Sequence, residues 1–221
     1  MDNIINLSFP VSGNELPADQ NYRLYAAISK QFPQLHRLNG LAINTIPGIP
    51  NQRGTIHLTP SSRLILRLPV EAIAQVYPLA GQTLDIGGYL IQLGNPELQT
   101  LKPTNCLSAR LVTIKGYTKP APFLVAAYRQ LKALDINADI SIAANNQGEP
   151  KRLTLKITKQ RRSYTIVGFS VIASNLTPDD SVKLQIHGLG GKRRIGCGIF
   201  CPPFLVKSDR RNNHYTATTI S

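Results

Sequence analysis

The sequence predicts an α+β protein made of two tandem β-α-β-β-α-β units, and three observations predict it. Short runs alternate apolar and polar residues with period two, others repeat apolar residues at spacings of three and four, and the two kinds of run succeed one another in the same order twice. Asn95-Pro96 and Lys102-Pro103 interrupt the pattern between the repeats. This order is the ferredoxin-like, or RRM-like, arrangement. It predicts an N-terminal domain over 1–94, a linker at 95–104, a C-terminal domain over 105–203 and a polar tail over 204–221.

Asn3 to Phe9 reads as the first strand, stopped by Pro10, Ser12 and Gly13. Tyr25, Ile28 and Phe32, with Leu24 beside them, give one apolar helical face from about Asp19 until Pro33 ends it. His36 follows just beyond that helix, in the link to Leu41–Asn44. Thr55–Leu58 and Arg63–Leu68 flank Thr59-Pro60-Ser61-Ser62 and read as a hairpin, with His57 on a strand as a solvated or cross-strand side chain. Pro69 opens a helix to about Tyr77, and Thr83 to Leu93 returns as strand, broken at Gly87-Gly88.

In the second half, Leu107 to Lys115 is a strand, and Pro120 introduces a helix with Phe123, Ala127, Leu131 and Leu134 on one face. Ala138 to Ala143 is a strand. Leu153 to Thr158 and Tyr164 to Ile172 form a hairpin whose tip, Lys159-Gln160-Arg161-Arg162, is basic. Asn175 to Asp180 starts a short helix to about Ile186, and Ile195 to Phe200 is the expected last strand.

Hydrophobic residues make up 42% of the chain, enough for a core, yet no apolar run approaches the roughly 18 residues of a membrane span. The start, Met1-Asp2-Asn3, is unlike a signal peptide, so a soluble, cytoplasmic protein with no membrane partner is expected. Three cysteines, Cys106, Cys197 and Cys201, fit neither a disulfide framework nor a zinc site. Residues 151–221 carry 13 Lys and Arg against three Asp, whereas residues 1–150 carry 12 against nine acidic residues. So uneven a charge points to a polyanion, RNA or DNA, rather than to a membrane surface, since no basic amphipathic helix appears.

Within the basic half, residues 188–200 combine five glycines with Lys192-Arg193-Arg194. Glycines permit close backbone approach, and main-chain N–H groups with three cations can line a concavity for phosphate oxygens. The alternative is a basic hairpin tip. The segment is not a Walker A motif, because only three residues separate Gly188 from Lys192, nor a dinucleotide fingerprint, because Arg193 holds the last glycine position and a strand is expected to follow. No nucleotide cofactor is therefore expected. Acidic residues are too scattered for a metal nuclease, and Asp179-Asp180 suit a helix N-terminus better. RNA chemistry without metal is transesterification by the 2′-OH, which needs an acid/base near neutrality and cations on the developing phosphorane charge. His36 with a Lys or Arg partner meets that need, although a lone histidine after a helix is also a common structural feature.

The two β-α-β-β-α-β halves, the histidine past the first helix, and His187-Gly188-Leu189-Gly190-Gly191-Lys192-Arg193-Arg194-Ile195-Gly196-Cys197-Gly198 resemble the CRISPR repeat-processing endoribonucleases, the Cas-six family. Phe32-Pro33-Gln34-Leu35-His36 and the compact length look most like the branch of the myxobacterial-type subtype I (MYXAN) systems. The resemblance covers about residues 3–203. It implies a metal-independent, cofactor-free endoribonuclease that binds a CRISPR repeat stem-loop and cuts precursor CRISPR RNA at the 3′ base of the stem. The products are a 2′,3′-cyclic phosphate and a 5′-OH, and such enzymes often stay on the guide RNA among other effector-complex subunits. By position, His36 is the catalytic acid/base, with Tyr22, Tyr25 and Lys30 as further candidates. Gly188, Gly190, Gly191, Gly196 and Gly198 with Lys192, Arg193 and Arg194 would hold the RNA backbone, and Lys159, Arg161 and Arg162 would meet the stem. The competing readings are a non-catalytic RNA-binding subunit, which lacks the aromatic pattern of a sheet-face RRM, and a protein–protein module without RNA affinity.

Overall fold

A computed structural model describes residues 3–159 and 162–203. In chain order the first half contains β1 (Ile4–Ser12), β2 (Glu15–Pro17), α1 (Asn21–Gln31), a 3-10 turn (Pro33–Arg37), β3 (Ala42–Ile43), β4 (Ile49–Pro50), β5 (Thr55–His57) and β6 (Arg63–Pro69). A helical run follows, centred on α2 (Ile73–Val76), and then β7 (Thr83–Asp85), β8 (Leu90–Leu93) and β9 (Glu97–Thr100). The main sheet runs β3-β6-β1, and the free edge of β1 pairs with β8 through Val11–Ser12 and with β9 through Ile5–Ser8. That order is the ferredoxin-like one. Alternation along β1 aims Ile5, Leu7, Phe9 and Val11 at one core, where Leu24 and Ile28 of α1 and Val76 of α2 pack.

Three expectations about pairing need correction. Arg63–Leu68 does not pair with Thr55–Leu58. The turn between them forms, with Ser62 N–H donating to Thr59 O, but β6 aligns along β1 from Ile4↔Pro69 to Pro10↔Arg63. Leu64, Leu66 and Leu68 are fully buried there, and a strand with one apolar face goes where that face is covered. β5 instead joins β2 and β4 in a small sheet, and His57 meets its cross-strand neighbour Glu15, Nδ1 to Oε1 3.1 Å. Thr83–Leu93 is a hairpin, because Gly87 and Gly88 turn at positive φ and fold β8 back on β7. The expected linker contains β9, whose four side chains are exposed, so it is held by backbone pairing that leaves no apolar signature.

The second half contains β10 (Leu107–Val112), α3 (Pro120–Ala133), β11 (Asp139–Ile142), β12 (Arg152–Lys159), β13 (Arg162–Ser174) and α4 (Pro178–His187). β13 pairs with β12 from Arg162 to Phe169 and with β11 from Val171 to Ser174, while β10 takes its other side. Thr177 caps α4, its Oγ1 accepting from Asp180 N–H, and Asp179 and Asp180 occupy the first turn. The last strand expected at Ile195–Phe200 does not form. Residues 193–195 make a 3-10 turn, and Gly196 and Gly198 adopt φ +75° and +69°, outside the strand region. The chain still runs beside β10 in the fourth-strand place, through Gly198 N–H to Leu111 O (2.7 Å) and the Ser108–Cys201 pair. Of the basic hairpin tip, Lys159 ends β12 and Arg162 begins β13, while Arg161 lies outside the described residues, as does the tail from 204.

Arg67 joins the halves. It sits on β6 with no exposed surface and donates to Asn6 Oδ1 (3.0 Å), to the Gln185 carbonyl of α4 (2.6 Å) and to the Phe200 carbonyl (2.9 Å). Burial lowers its pKa, with Cys201 opposing that shift. Thr104 N–H donates to Ser181 Oγ and Gln185 Nε2 to Lys102 O, so the chain between the halves is also fastened to α4. Arg67→Ala leaves two buried carbonyls without their donor and a cavity. It is expected to cost about 3 kcal/mol or more, read as a lower urea midpoint in equilibrium unfolding.

Candidate catalytic turn and nucleic-acid interface

Pro33 ends α1 and opens the 3-10 turn. Phe32 N–H still donates to Ile28 O, and Leu38 N–H closes the turn onto Leu35 O at 3.3 Å. Leu35 plugs into the first core at 1% exposure, so its neighbour His36 is held at the surface. Tyr25, half-buried on α1, hydrogen-bonds through its hydroxyl to His36 Nδ1, and the two rings lie 5.9 Å apart. When the phenol donates to Nδ1 of the neutral ring, the imidazole proton sits on Nε2. When the ring is protonated, Nδ1–H donates to the phenol oxygen. The contact therefore survives either charge state of the histidine. The Tyr22 ring lies 6.4 Å from that of Tyr25, tilted at 49° to it. Lys30 is exposed and lines a separate groove of about 350 Å³ with Tyr22, Arg23, Asp85 and Lys156.

Both tyrosines reach into the second half. They pack against a cluster of Leu111, Leu155, Ile157, Ile166, Ile195 and Cys197, built from β10, the β12–β13 hairpin and the glycine-rich loop. The alternation that buries Leu155 and Ile157 leaves Arg152, Thr154 and Lys156 on the open face of the hairpin. Cys197 is fully buried, and burial pushes its thiol up to about 11, outweighing the opposite pull of Lys192 and Arg110.

The glycine-rich loop departs from a simple phosphate cradle. A Cβ at Gly188 would overlap the Gly198 carbonyl, one at Gly198 the Leu189 carbonyl, one at Gly190 the Thr113 carbonyl, and one at Gly196 the Asn21 amide. Four of the five glycines thus serve close packing within the protein, and Gly191 has open space beside it. Lys192 is exposed at φ +68°, and its carbonyl accepts from Ile195 and Cys197 N–H. Arg193, expected to meet phosphate, instead turns inward. Its Nε and Nη2 are buried without a partner, and burial, then the nearby Arg67 charge, push it down to about 10. Arg194 Nη2 donates to the Leu38 carbonyl at 2.8 Å, at the end of the His36 turn.

Asn21 and Arg110 belong to the site although the sequence did not single them out. Asn21, the first residue of α1, donates to Ile195 O (2.9 Å) and Thr45 Oγ1 (3.0 Å), and its Oδ1 accepts from Arg110 at 3.2 Å. A polar residue near a helix start and a charged one on a strand carry no local signal of a partner 174 or 89 residues away. Among the described residues no group of three or more His, Cys, Asp or Glu side chains is placed to hold a metal ion, and no helix is long and apolar enough to cross a membrane.

A family model described as "Cas6 Crispr" matches residues 5–204. The CRISPR-associated endonuclease Cas6 of Myxococcus xanthus is 35% identical over 199 residues, which are 90% of this chain and 81% of that protein. Among solved structures, a "CRISPR associated protein Cas6" superposes with a TM-score of 0.61 at 12% identity, over 90% of this chain and 98% of the other. A structure described as a RAMP protein binding different RNA substrates gives 0.58 at 15% identity, over 89% and 98%. These two likenesses concern the fold.

The seam that holds Tyr22 and Tyr25 can be tested through Cys197. Only the thiolate alkylates readily, and burial both raises the Cys197 thiol and covers its sulfur. Iodoacetamide is expected to modify half-buried Cys106 and Cys201 first, and Cys197 only after denaturation, as read by peptide mass spectrometry.

Proposed function

The chain belongs to the Cas6 family, and from that premise we propose that it is an endoribonuclease that binds a CRISPR repeat stem-loop and cuts precursor CRISPR RNA at the 3′ base of the stem without a metal. The observation that carries this reading is the Tyr25–His36 hydrogen bond on a turn abutting the glycine-rich loop. In the reaction the 2′-oxygen forms a bond to its own phosphorus while the bond to the 5′-oxygen breaks, leaving a 2′,3′-cyclic phosphate and a 5′-OH. One proton leaves the 2′-OH and one arrives on the 5′-oxygen. His36 makes one of these transfers, and Tyr25 holds its ring by Nδ1 so that Nε2 is the nitrogen offered to RNA. Exposed Lys192 takes the phosphate charge, the open space beside Gly191 leaves room for the RNA backbone to approach, and the exposed Arg152 and Lys156 extend the basic surface along the hairpin. The product guide RNA stays bound and brings the protein to other subunits of an effector complex.

Two outcomes test the chemistry, both with the repeat RNA of the host's own CRISPR array and EDTA present. His36→Ala is expected to lose cleavage by about 100-fold or more while binding the RNA as before. Efficient binding by the parent protein with no cut product would instead identify a non-catalytic RNA-binding subunit. Tyr25→Phe keeps the ring packing and removes the hydroxyl. Its single-turnover rate is expected to fall by about 10- to 100-fold with Kd unchanged, and a parent-like rate would remove Tyr25 from the mechanism.

A further inference from the structure

The turn that carries His36 is five residues long and is fastened to the core through Leu35. Among the hydrogen bonds of the described residues, two side chains reach it from outside, Tyr25 onto His36 and Arg194 onto the Leu38 carbonyl. Arg194 comes from the glycine-rich loop, 156 positions along the chain. The residue next to it, Ile195, gives its carbonyl to Asn21 at the opposite end of α1, and Gly196 lies against the same asparagine so closely that no Cβ fits. Two consecutive loop residues thus grip α1 where it begins and the turn where it ends. Asn21 is 2% exposed and spends its remaining polar capacity on Thr45 and Arg110, so this grip is built from satisfied partners.

We propose that Arg194 is a positioning residue: through Leu38 it fixes the turn that presents His36, and it does not serve as a contact to RNA phosphate. The proposal rests on the reading of His36 as the acid/base. Lys192, exposed two residues earlier in the same loop, contacts phosphate, whereas the Arg194 guanidinium is committed to a main-chain carbonyl. A charged donor on a carbonyl is a strong, directional bond. A turn free to shift by about 1 Å loses near-attack geometry, which is enough for a rate loss on the order of 100-fold.

The test measures single-turnover cleavage of 5′-labelled repeat RNA at saturating enzyme, and Kd at several salt concentrations, in EDTA. Arg194→Ala is expected to lower the saturating rate by about 10-fold or more, with Kd within about threefold and the salt dependence of binding unchanged. Lys192→Ala is expected to raise Kd and reduce the slope of log Kd against log salt by about one. If Arg194→Ala gives that second pattern and cleaves at the parent rate when saturated, Arg194 is a phosphate contact and the proposal falls. Retained RNA binding reports folding. Should the alanine variant fail to fold, Arg194→Gln decides, since it keeps a donor and loses the charge: slower cleavage at parent Kd supports positioning, and a reduced salt slope at the parent rate overturns it. His36→Ala, measured alongside, separates the two readings. If it does not cleave while Arg194→Ala cleaves as the parent does, only the positioning inference fails. If His36→Ala cleaves at the parent rate, the assignment of His36 fails and the inference with it.

Discussion

The segment from Gly188 to Cys201 approaches its neighbours too closely for side chains, and both halves of the molecule are built onto it. Carbonyl oxygens of Gly198, Leu189 and Thr113, and the Asn21 amide, occupy the positions where Cβ atoms of Gly188, Gly198, Gly190 and Gly196 would stand. Backbone-to-backbone contact of this kind is short and stiff, and it tolerates no substituent. It places the loop in the fourth-strand position of the second sheet on one side and against α1 of the first half on the other. Gly196 against Asn21 is the contact of this set that joins the halves, while Gly188, Gly190 and Gly198 fix the loop within the second half.

Polar groups complete that seam where apolar area alone would leave it free to slide. Arg67 spans it with donors on Asn6, Gln185 and Phe200, and Asn21 spans it with both ends of its amide in use. Apolar contact is tolerant of small displacements, whereas a buried guanidinium or amide is satisfied in one geometry and unsatisfied in the rest. Arg193 marks the limit of that design, with two buried nitrogens unpartnered beside the Arg67 charge.

This construction divides labour among residues that look alike in sequence. Lys192, Arg193 and Arg194 are consecutive cations, yet one faces solvent, one is half-buried with Nε and Nη2 covered, and one is bound to the Leu38 carbonyl. The αL conformation at Lys192 and the 3-10 turn after it rotate successive side chains to different sides of the loop. Tyr22 and Tyr25 are divided in the same way: both pack on the second half through their rings, while Tyr25 alone brings its hydroxyl to His36.

The sequence by itself determined the elements whose cause is local. The three- and four-residue spacing of Tyr25, Ile28 and Phe32, with the stop at Pro33, made α1 legible, and with it the place of His36. Alternation made β12 and β13 legible, and Thr177 with Asp180 the start of α4. The glycine-rich run pointed to an unusual backbone, which it has. Only the tertiary structure decided which strands pair, because β6 answers to the buried face of β1 rather than to its neighbour in sequence, and β9 pairs through main chain that any sequence possesses. It alone turned Arg193 inward, tied Arg194 to the turn and set Tyr25 on His36. Those outcomes depend on which surface stands opposite, and the distances along the chain, up to 174 residues, lie beyond any periodicity that a local pattern can carry.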